Sequence, residues 1–440
     1  MSKVRTVAAI LGVILSLSSQ TVSAQSSTLV DLMLNTFTQS VAAAQTPSGL
    51  VGVVRHTPTF AQDPNLIQTQ QLVSSVSQQI GSQVSTFVPL GSSSGGFTYG
   101  FDATLGTFRR TTQTFGPAFA ERAATNGKGR FSVGMNFLHA TYSSLDGKSI
   151  EDGSIKFNLL HQKLNPPSYV EGDVIQAGMA MKLTSETAAF LVNYGVTDRL
   201  DLGLVVPIVR VNMDLIYQAR ILDFSTTTSA PSLHVFEDGT KVKNFPASGN
   251  ASGIGDVVVR AKYLLLSRGE QGLAAGLDIR LPSGDAANML GTGGTQTKVF
   301  LIVSGVVAEK LSPHLNVGYT ASTNGVSDEF NYVGGLEFGA TPRVTIVGDL
   351  IGRNLRNTLR FSSTTVDHAY QAGSLLAPVQ IAKLDTVGVA SGSLNAGLGA
   401  IGVKVSPAAN FLISAHLLFG LNDAGLRSKV APVVGVDFSF

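Results

Sequence analysis

The sequence has no cysteine and no tryptophan, and only 14% of its 440 residues are charged. The lack of cysteine excludes disulfides and thiolate metal sites outright. No long basic run is present, so the chain carries no electrostatic footprint for nucleic acid. The charged fraction falls well below the ~25% of soluble domains, and mean hydropathy is positive. Yet beyond the first residues there is no run of ~18 apolar residues that could cross a bilayer as a helix. Signatures of catalysis are also scarce. No H-E-x-x-H occurs, and the glycine-rich GTGGTQTK at Gly291–Lys298 lacks the G-K-[ST] ending of a phosphate loop. The histidines, His56, His139, His161, His234, His314, His368 and His416, include no two at metal-ligand spacing. Neither an enzyme nor a cofactor is expected.

What is present begins with Lys3 and Arg5 ahead of an apolar stretch, Val7 to Leu17, and a small-residue site at Val22-Ser23-Ala24. This is the pattern of a secretory signal peptide over residues 1–24, too short in its apolar part to span. Without Lys3 and Arg5 the formal charge of +2 falls to zero. An exported apolar chain without spanning helices has one well-known membrane solution, the closed β-barrel. Its strands spread apolar residues over alternate positions.

That alternation runs through residues 96–440. Phe131, Val133, Met135 and Phe137 share one face, as do Val257, Val259, Ala261, Tyr263 and Leu265. Leu200 to Ile208 alternate in one phase and Val209 to Ala219 in the other, so a bulge beside Pro207 is predicted. Short turns at Val196–Arg199, Ser267–Gln271, Glu309–Ser312, Thr341–Arg343 and Ser406–Asn410 alternate with long connections, notably Leu222–Gly253 and Leu355–Leu394. Short turns on one side and long loops on the other fit an outer-membrane barrel. The expected fold is an antiparallel up-and-down barrel of about fourteen strands, with twelve or sixteen also open. Val430–Phe440 would be the closing strand, and it resembles the alternating, aromatic-ended tail of outer-membrane barrels as a class; that resemblance implies that Val436, Phe438 and Phe440 are read by the barrel-assembly machinery.

Residues 25–95 differ. Val30, Met33, Leu34, Phe37 and Val41 recur at helical spacing, and a second helix is expected from Asp63-Pro64 through Leu66, Leu72, Val73, Val76 and Ile80. Such a segment could plug the lumen or lie against the periplasmic mouth.

On the wall, Arg260, Lys262, Asp278 and Arg280 fall on inward positions of one hairpin, with Arg210, Asp214 and Arg220 at comparable or greater height on the preceding strand. Together they form a candidate lumen charge band, either a selectivity lining or a ladder of charges that satisfy one another. The opposite wall, Asn395–Gly420 and onward from Val430, reads as glycine and aliphatic, with Gly397, Gly399, Leu412 and Leu418 on the expected inner parity. The loop stretch Gly373–Ala382 adds an apolar patch on the outer side.

Three stretches, NYGVTDRLDLGLVVPIVRV (Asn193–Val211), GIGDVVVRAKYLLL (Gly253–Leu266) and GLDIRLPSGD (Gly276–Asp285), resemble the meta-pathway phenol-degradation family of bacterial outer-membrane proteins. The resemblance covers roughly Thr184 to Phe440. It implies an outer-membrane barrel that passes small hydrophobic or aromatic compounds, akin to the fatty-acid and toluene channels, which are fourteen-stranded and plugged by an N-terminal hatch. No ligand residues carry over from it. The expected function is passive uptake of hydrophobic solutes, with membrane lipid, lipopolysaccharide and the assembly machinery as partners. A general polar porin and a sealed structural or adhesive barrel are the rivals.

Overall fold

The computed structural model describes residues 27–45, 64–86, 99–102, 107–110, 114–160, 172–224, 234–269, 271–308, 310–372, 376–408 and 410–440. The signal peptide expected over 1–24 lies outside them, as does Asp63. Among the described residues twelve antiparallel strands close a ring. They are β1 (Phe131–Leu145), β2 (Val174–Gly195), β3 (Leu200–Leu222), β4 (Val258–Arg268), β5 (Gln271–Arg280), β6 (Gln296–Ser304), β7 (Leu311–Ser322), β8 (Asp328–Thr341), β9 (Val344–Tyr370), β10 (Gln380–Ala408), β11 (Phe411–Gly420) and β12 (Val430–Ser439). Neighbours pair in chain order, and β12 returns to β1 from Val433↔Leu138 to Ser439↔Ser132. Phe131 and Phe440 finish the seam by exchanging two backbone hydrogen bonds of 2.9 Å, and their rings stack 5.9 Å apart.

Twelve corrects the expected count of about fourteen. Ile155–Leu160 and Val242–Ile254 alternate as wall strands do, but among the described residues they pair as strands only with β2 and β3, at the end away from the short turns. Lys148–Ser149 and Leu426–Ser428 add short pairs to β1. Two expected long loops also contain strand. One contains Val242–Ile254, and in the other β9 and β10 stay paired out to Tyr370↔Gln380.

Strand lengths show why. A tilted membrane crossing takes ~9–11 residues, which β5, β6, β11 and β12 match with 10, 9, 10 and 10. By contrast β2, β3, β9 and β10 have 22, 23, 27 and 29 residues and overshoot the membrane on the side opposite the short turns. Within β3 the chemistry of the two faces then exchanges. In its first part Leu202 faces outward, exposed, while Asp201 is buried inward. From Val209 on, the buried parity carries Val209, Val211, Met213, Leu215, Tyr217 and Ala219, while Arg210, Asp214 and Arg220 are exposed.

No bulge accompanies this change. Pairing with β2 runs unbroken from Gly195↔Asp201 through Pro207↔Ala189 to Val174↔Leu222. The predicted slip at Pro207 is therefore a change of surroundings, not of register. Below it the outer face meets hydrocarbon and must be apolar. Above it the same face meets water and carries the cross-strand pairs Glu186↔Arg210 and Lys182↔Asp214.

The inner face that turns apolar is covered by the two helices expected from the sequence. Helix α1 (Leu29–Ala42) is capped by Thr28, whose hydroxyl accepts from the Asp31 amide at 3.1 Å and donates to its carboxylate at 2.7 Å. Its Leu29, Met33, Phe37 and Val41, at i,i+4 spacing, are all buried. The Phe37 ring lies edge-on to Tyr217 at 5.6 Å and to Phe157 at 5.7 Å. Helix α2 (Pro64–Thr86) buries Leu66, Val73, Val76, Ile80 and Val84 in the same cluster. Its Ser85 hydroxyl donates to the carbonyls of Met289 and Gly291 in the inward-folded β5–β6 connection.

Near the short turns a different element crosses the ring. Residues 114–126 form an irregular strap whose backbone is held by inward side chains of seven strands. Amides of Phe115, Gly116, Ala120, Glu121, Ala123 and Asn126 donate to Thr345, Glu337, Asp349, Asn316, Ser304 and Asp201 at 2.6–3.2 Å. Lys262 and Lys404 donate to its carbonyls at Ala124 and Pro117, both at 2.8 Å. Arg122 is clasped by Glu337 through two hydrogen bonds, 3.1 and 2.5 Å, in full burial. The wall expected over 96–440 thus starts only at Phe131; among the described residues before it, 99–102 and 107–110 pair only with each other.

Two predictions follow from these layers. Because the chain has no tryptophan, Leu202→Trp and Asp214→Trp each give a single reporter. Brominated lipid is expected to quench the first and leave the second unaffected; equal quenching would place both in hydrocarbon. Removing one member of a buried ion pair costs about 3–5 kcal/mol. Glu337→Gln should therefore raise amide exchange at Gly116–Ala124 at least tenfold with β3 and β4 unchanged, and unaltered exchange there would show that Glu337 does not hold the strap.

Candidate functional site

Between the end of α2 and the strap a cavity of ≈ 200 Å³ remains in the lumen. At ~10–15 Å³ per water on this measure, it holds on the order of ten waters. Thr86 borders it at one end and Phe119 and Glu121 at the other. One wall is a cross-strand row on the inner face of β4 to β8, in which Arg260, Asp278, Lys298, Thr320 and Glu329 are successive partners. Arg260 grips Asp278 with two bonds of 2.6 and 2.7 Å and also pairs with Glu121 of the strap. Glu329 pairs with Arg353 at 2.9 and 2.5 Å. Below the row the Phe300 ring lies flat over Gly276, where an added Cβ would sit 2.2 Å from Phe300 Cζ, so glycine makes room for the aromatic floor.

The facing wall is apolar. Leu138, Ile351, Leu398 and Leu418 line it. Leu412 and Leu418 lie inward as expected, but β10 presents Leu394, Leu398, Ala400 and Lys404 on its buried parity. Gly397 and Gly399 fall on the other parity, because residues this small on both faces leave the sequence without a phase. Among the described residues no three His, Asp or Glu side chains gather as a metal site would need.

The seven charges of the candidate band do not come together. Arg260, Asp278 and Arg280 line the cavity. Lys262 is fully buried below it, donating to the strap and lying 3.8 Å from both Asp201 and Glu121. Arg210, Asp214 and Arg220 are instead exposed on the outer parity of β3 above the membrane, a consequence of the unbroken register at Pro207. Lys298, Glu329 and Arg353 were missed, although inward parity along β6, β8 and β9 would have found them. Glu121 and Arg122 had no such signal, since the strap has no period.

The short motifs noted in the sequence have structural work to do. Thr197 accepts from the amides of Arg199 and Leu200 at 3.1 and 3.0 Å, closing the β2–β3 turn. Gly195 precedes it because Gly127 O would lie 2.0 Å from any Cβ there. Asp256 accepts from the Gly284 and Thr292 amides at 3.1 and 2.8 Å, and Ser283 accepts from Val257 at 2.9 Å. The G-D and L-P-S-G-D elements thus bind each other and fold the β5–β6 connection inward.

Val436 and Phe438 occupy the outer parity of β12, with Phe440 at the seam. The belt of exposed apolar side chains continues around the ring through Val299, Val317, Tyr332, Ile346, Val403 and Leu417. A closed ring with this belt outside and charges inside is a transmembrane β-barrel of the bacterial outer membrane.

No curated protein matches the chain. Among solved structures it is similar to an outer-membrane channel from Pseudomonas putida F1, at 14% identity and TM-score 0.42 over 72% of this chain and 98% of that one. It is also similar to a FadL homologue from Pseudomonas aeruginosa (9%, 0.32, 74% and 94%) and to the Ralstonia pickettii toluene transporter TbuX (13%, 0.27, 71% and 90%). Likenesses this distant leave the solute to be argued from this chain's own lumen. Residues 165–365, from ahead of β2 into β9, match the family described as "Putative MetA-pathway of phenol degradation", the family that the Asn193–Val211, Gly253–Leu266 and Gly276–Asp285 stretches resemble.

Proposed function

We propose that this barrel is a channel for passive uptake of small hydrophobic or aromatic compounds, driven by the solute gradient. The observation that carries this is the amphipathic lumen cavity of ≈ 200 Å³, apolar on one wall and charged on the other. Above it the helices within 25–95 act as a plug, and below it the strap acts as a second closure. A general polar porin would want an open, water-filled, charge-lined lumen. Here most inward charges are already engaged, in ion pairs or in holding the strap. Exposed Leu376 (96%), Val379 and Ile381 near the tip of the β9–β10 hairpin offer an apolar surface where solute could first be captured. The same proposal gives Val436, Phe438 and Phe440 to the assembly machinery, and the outer face to lipid and lipopolysaccharide.

The test uses refolded full-length protein in nonionic detergent, with benzyl alcohol as a neutral single-ring probe followed by saturation-transfer NMR. Binding is expected, with at least a tenfold loss of affinity in Leu418→Trp, which fills the apolar side of the cavity and leaves the ion pairs intact. No binding to the unmodified protein, or equal binding to the folded variant, would overturn the proposal.

A further inference from the structure

Charge pairing around the cavity is incomplete, and the gap has a definite place. Arg260 is taken by Asp278 and Glu121, and Arg353 by Glu329. Among the described residues, neither Lys298 nor Arg280 has a carboxylate oxygen within 4.0 Å. Lys298 is the direct cross-strand partner of Asp278, but both oxygens of that carboxylate are already bound by Arg260. Its ammonium stands 4.9 Å from the centroid of the Phe300 ring instead. Arg280 gives one hydrogen bond of 3.2 Å, to the Ser85 carbonyl in the last turn of α2. Both residues border the cavity, where four cations face three carboxylates.

The two are close enough to act together. Arg280 pairs directly with Gln296, and Lys298 is two residues further along β6 on the same inner face. Diagonal neighbours of this kind are about 7–8 Å apart at the backbone, within reach of long side chains. The carboxylates that attract them, Asp278 and Glu329 for Lys298 and Asp256 for Arg280, are hydrogen-bonded to other groups and stand beyond direct contact. An anionic group would satisfy both, through charge-assisted bonds about twice as strong as neutral ones.

Resting on the channel function proposed above, we infer that Lys298 and Arg280 form an anion subsite. The solute is then a small apolar molecule bearing one anionic group, of the single-ring carboxylate type. Its charged end meets Lys298 and Arg280, and its ring lies against Ile351, Leu398 and Leu418 across the cavity. Volume sets the size, since ≈ 200 Å³ falls below the ~300–1,000 Å³ of pockets for drug-sized ligands.

The experiment compares benzoate with benzyl alcohol, its neutral counterpart of nearly equal shape, on full-length protein in nonionic detergent at pH 7. Benzoate is expected to bind at least tenfold more tightly. Lys298→Met should bring that ratio near one, and Lys298→Arg should restore it, with unheated gel mobility confirming that each variant is folded. Benzyl alcohol binding as well as benzoate, or a ratio unmoved by Lys298→Met, would overturn the anion subsite and leave the channel proposal standing. Failure of both probes to bind would overturn both.

Discussion

A barrel strand has two faces, and the medium outside one of them decides what must be placed inside the other. In hydrocarbon every backbone donor and acceptor has to be paired within the wall. A strand passing from lipid into water meets new surroundings on its outer face, and where its register is kept the exchange is made by residue choice. β3 makes it at Pro207–Val209, with pairing to β2 intact on both sides. The contents of the lumen follow from that constraint. Above the membrane the inner face is apolar, and water there would be unfavourable, so α1 and α2 fill the space. Within the membrane the inner face of β4 to β8 is polar, so charges pair with one another or with the strap. The cavity lies where the two fillings meet.

This division gives the inward charges a structural part that a simple lining would not have. Arg260 links Asp278 on the wall to Glu121 on the strap, and Glu337 links β8 to Arg122. Buried pairs of this kind add little net stability compared with apolar packing, yet breaking one is expensive. They fix where the strap sits. Opening the lumen at that end means separating several such contacts together, which couples the closure to the charge row bordering the cavity.

Much of this was legible in the sequence, wherever period and surroundings agree. The short turns, the hairpins from β4 to β9, the closing strand and the i,i+4 faces of both helices could all be read directly. So could the inward positions of Arg260, Lys262, Asp278 and Arg280. Where lipid gives way to water the same pattern has two explanations, and choosing a bulge sent Arg210, Asp214 and Arg220 to the wrong side. Along β10 glycine and alanine occupy both faces, so parity carried no information. The strap has neither period nor composition to mark it, being held by hydrogen bonds from its backbone to side chains far away in sequence. The count of twelve was hidden because strands added above the membrane alternate just as wall strands do.

Ion conductance of the refolded full-length protein in a planar bilayer tests most directly whether the lumen is filled. No steady conductance is expected from the intact chain, and discrete steps are expected once residues 25–126, with both helices and the strap, are removed. Steady, ohmic conductance from the intact protein would contradict the filled lumen and favour an open polar pore.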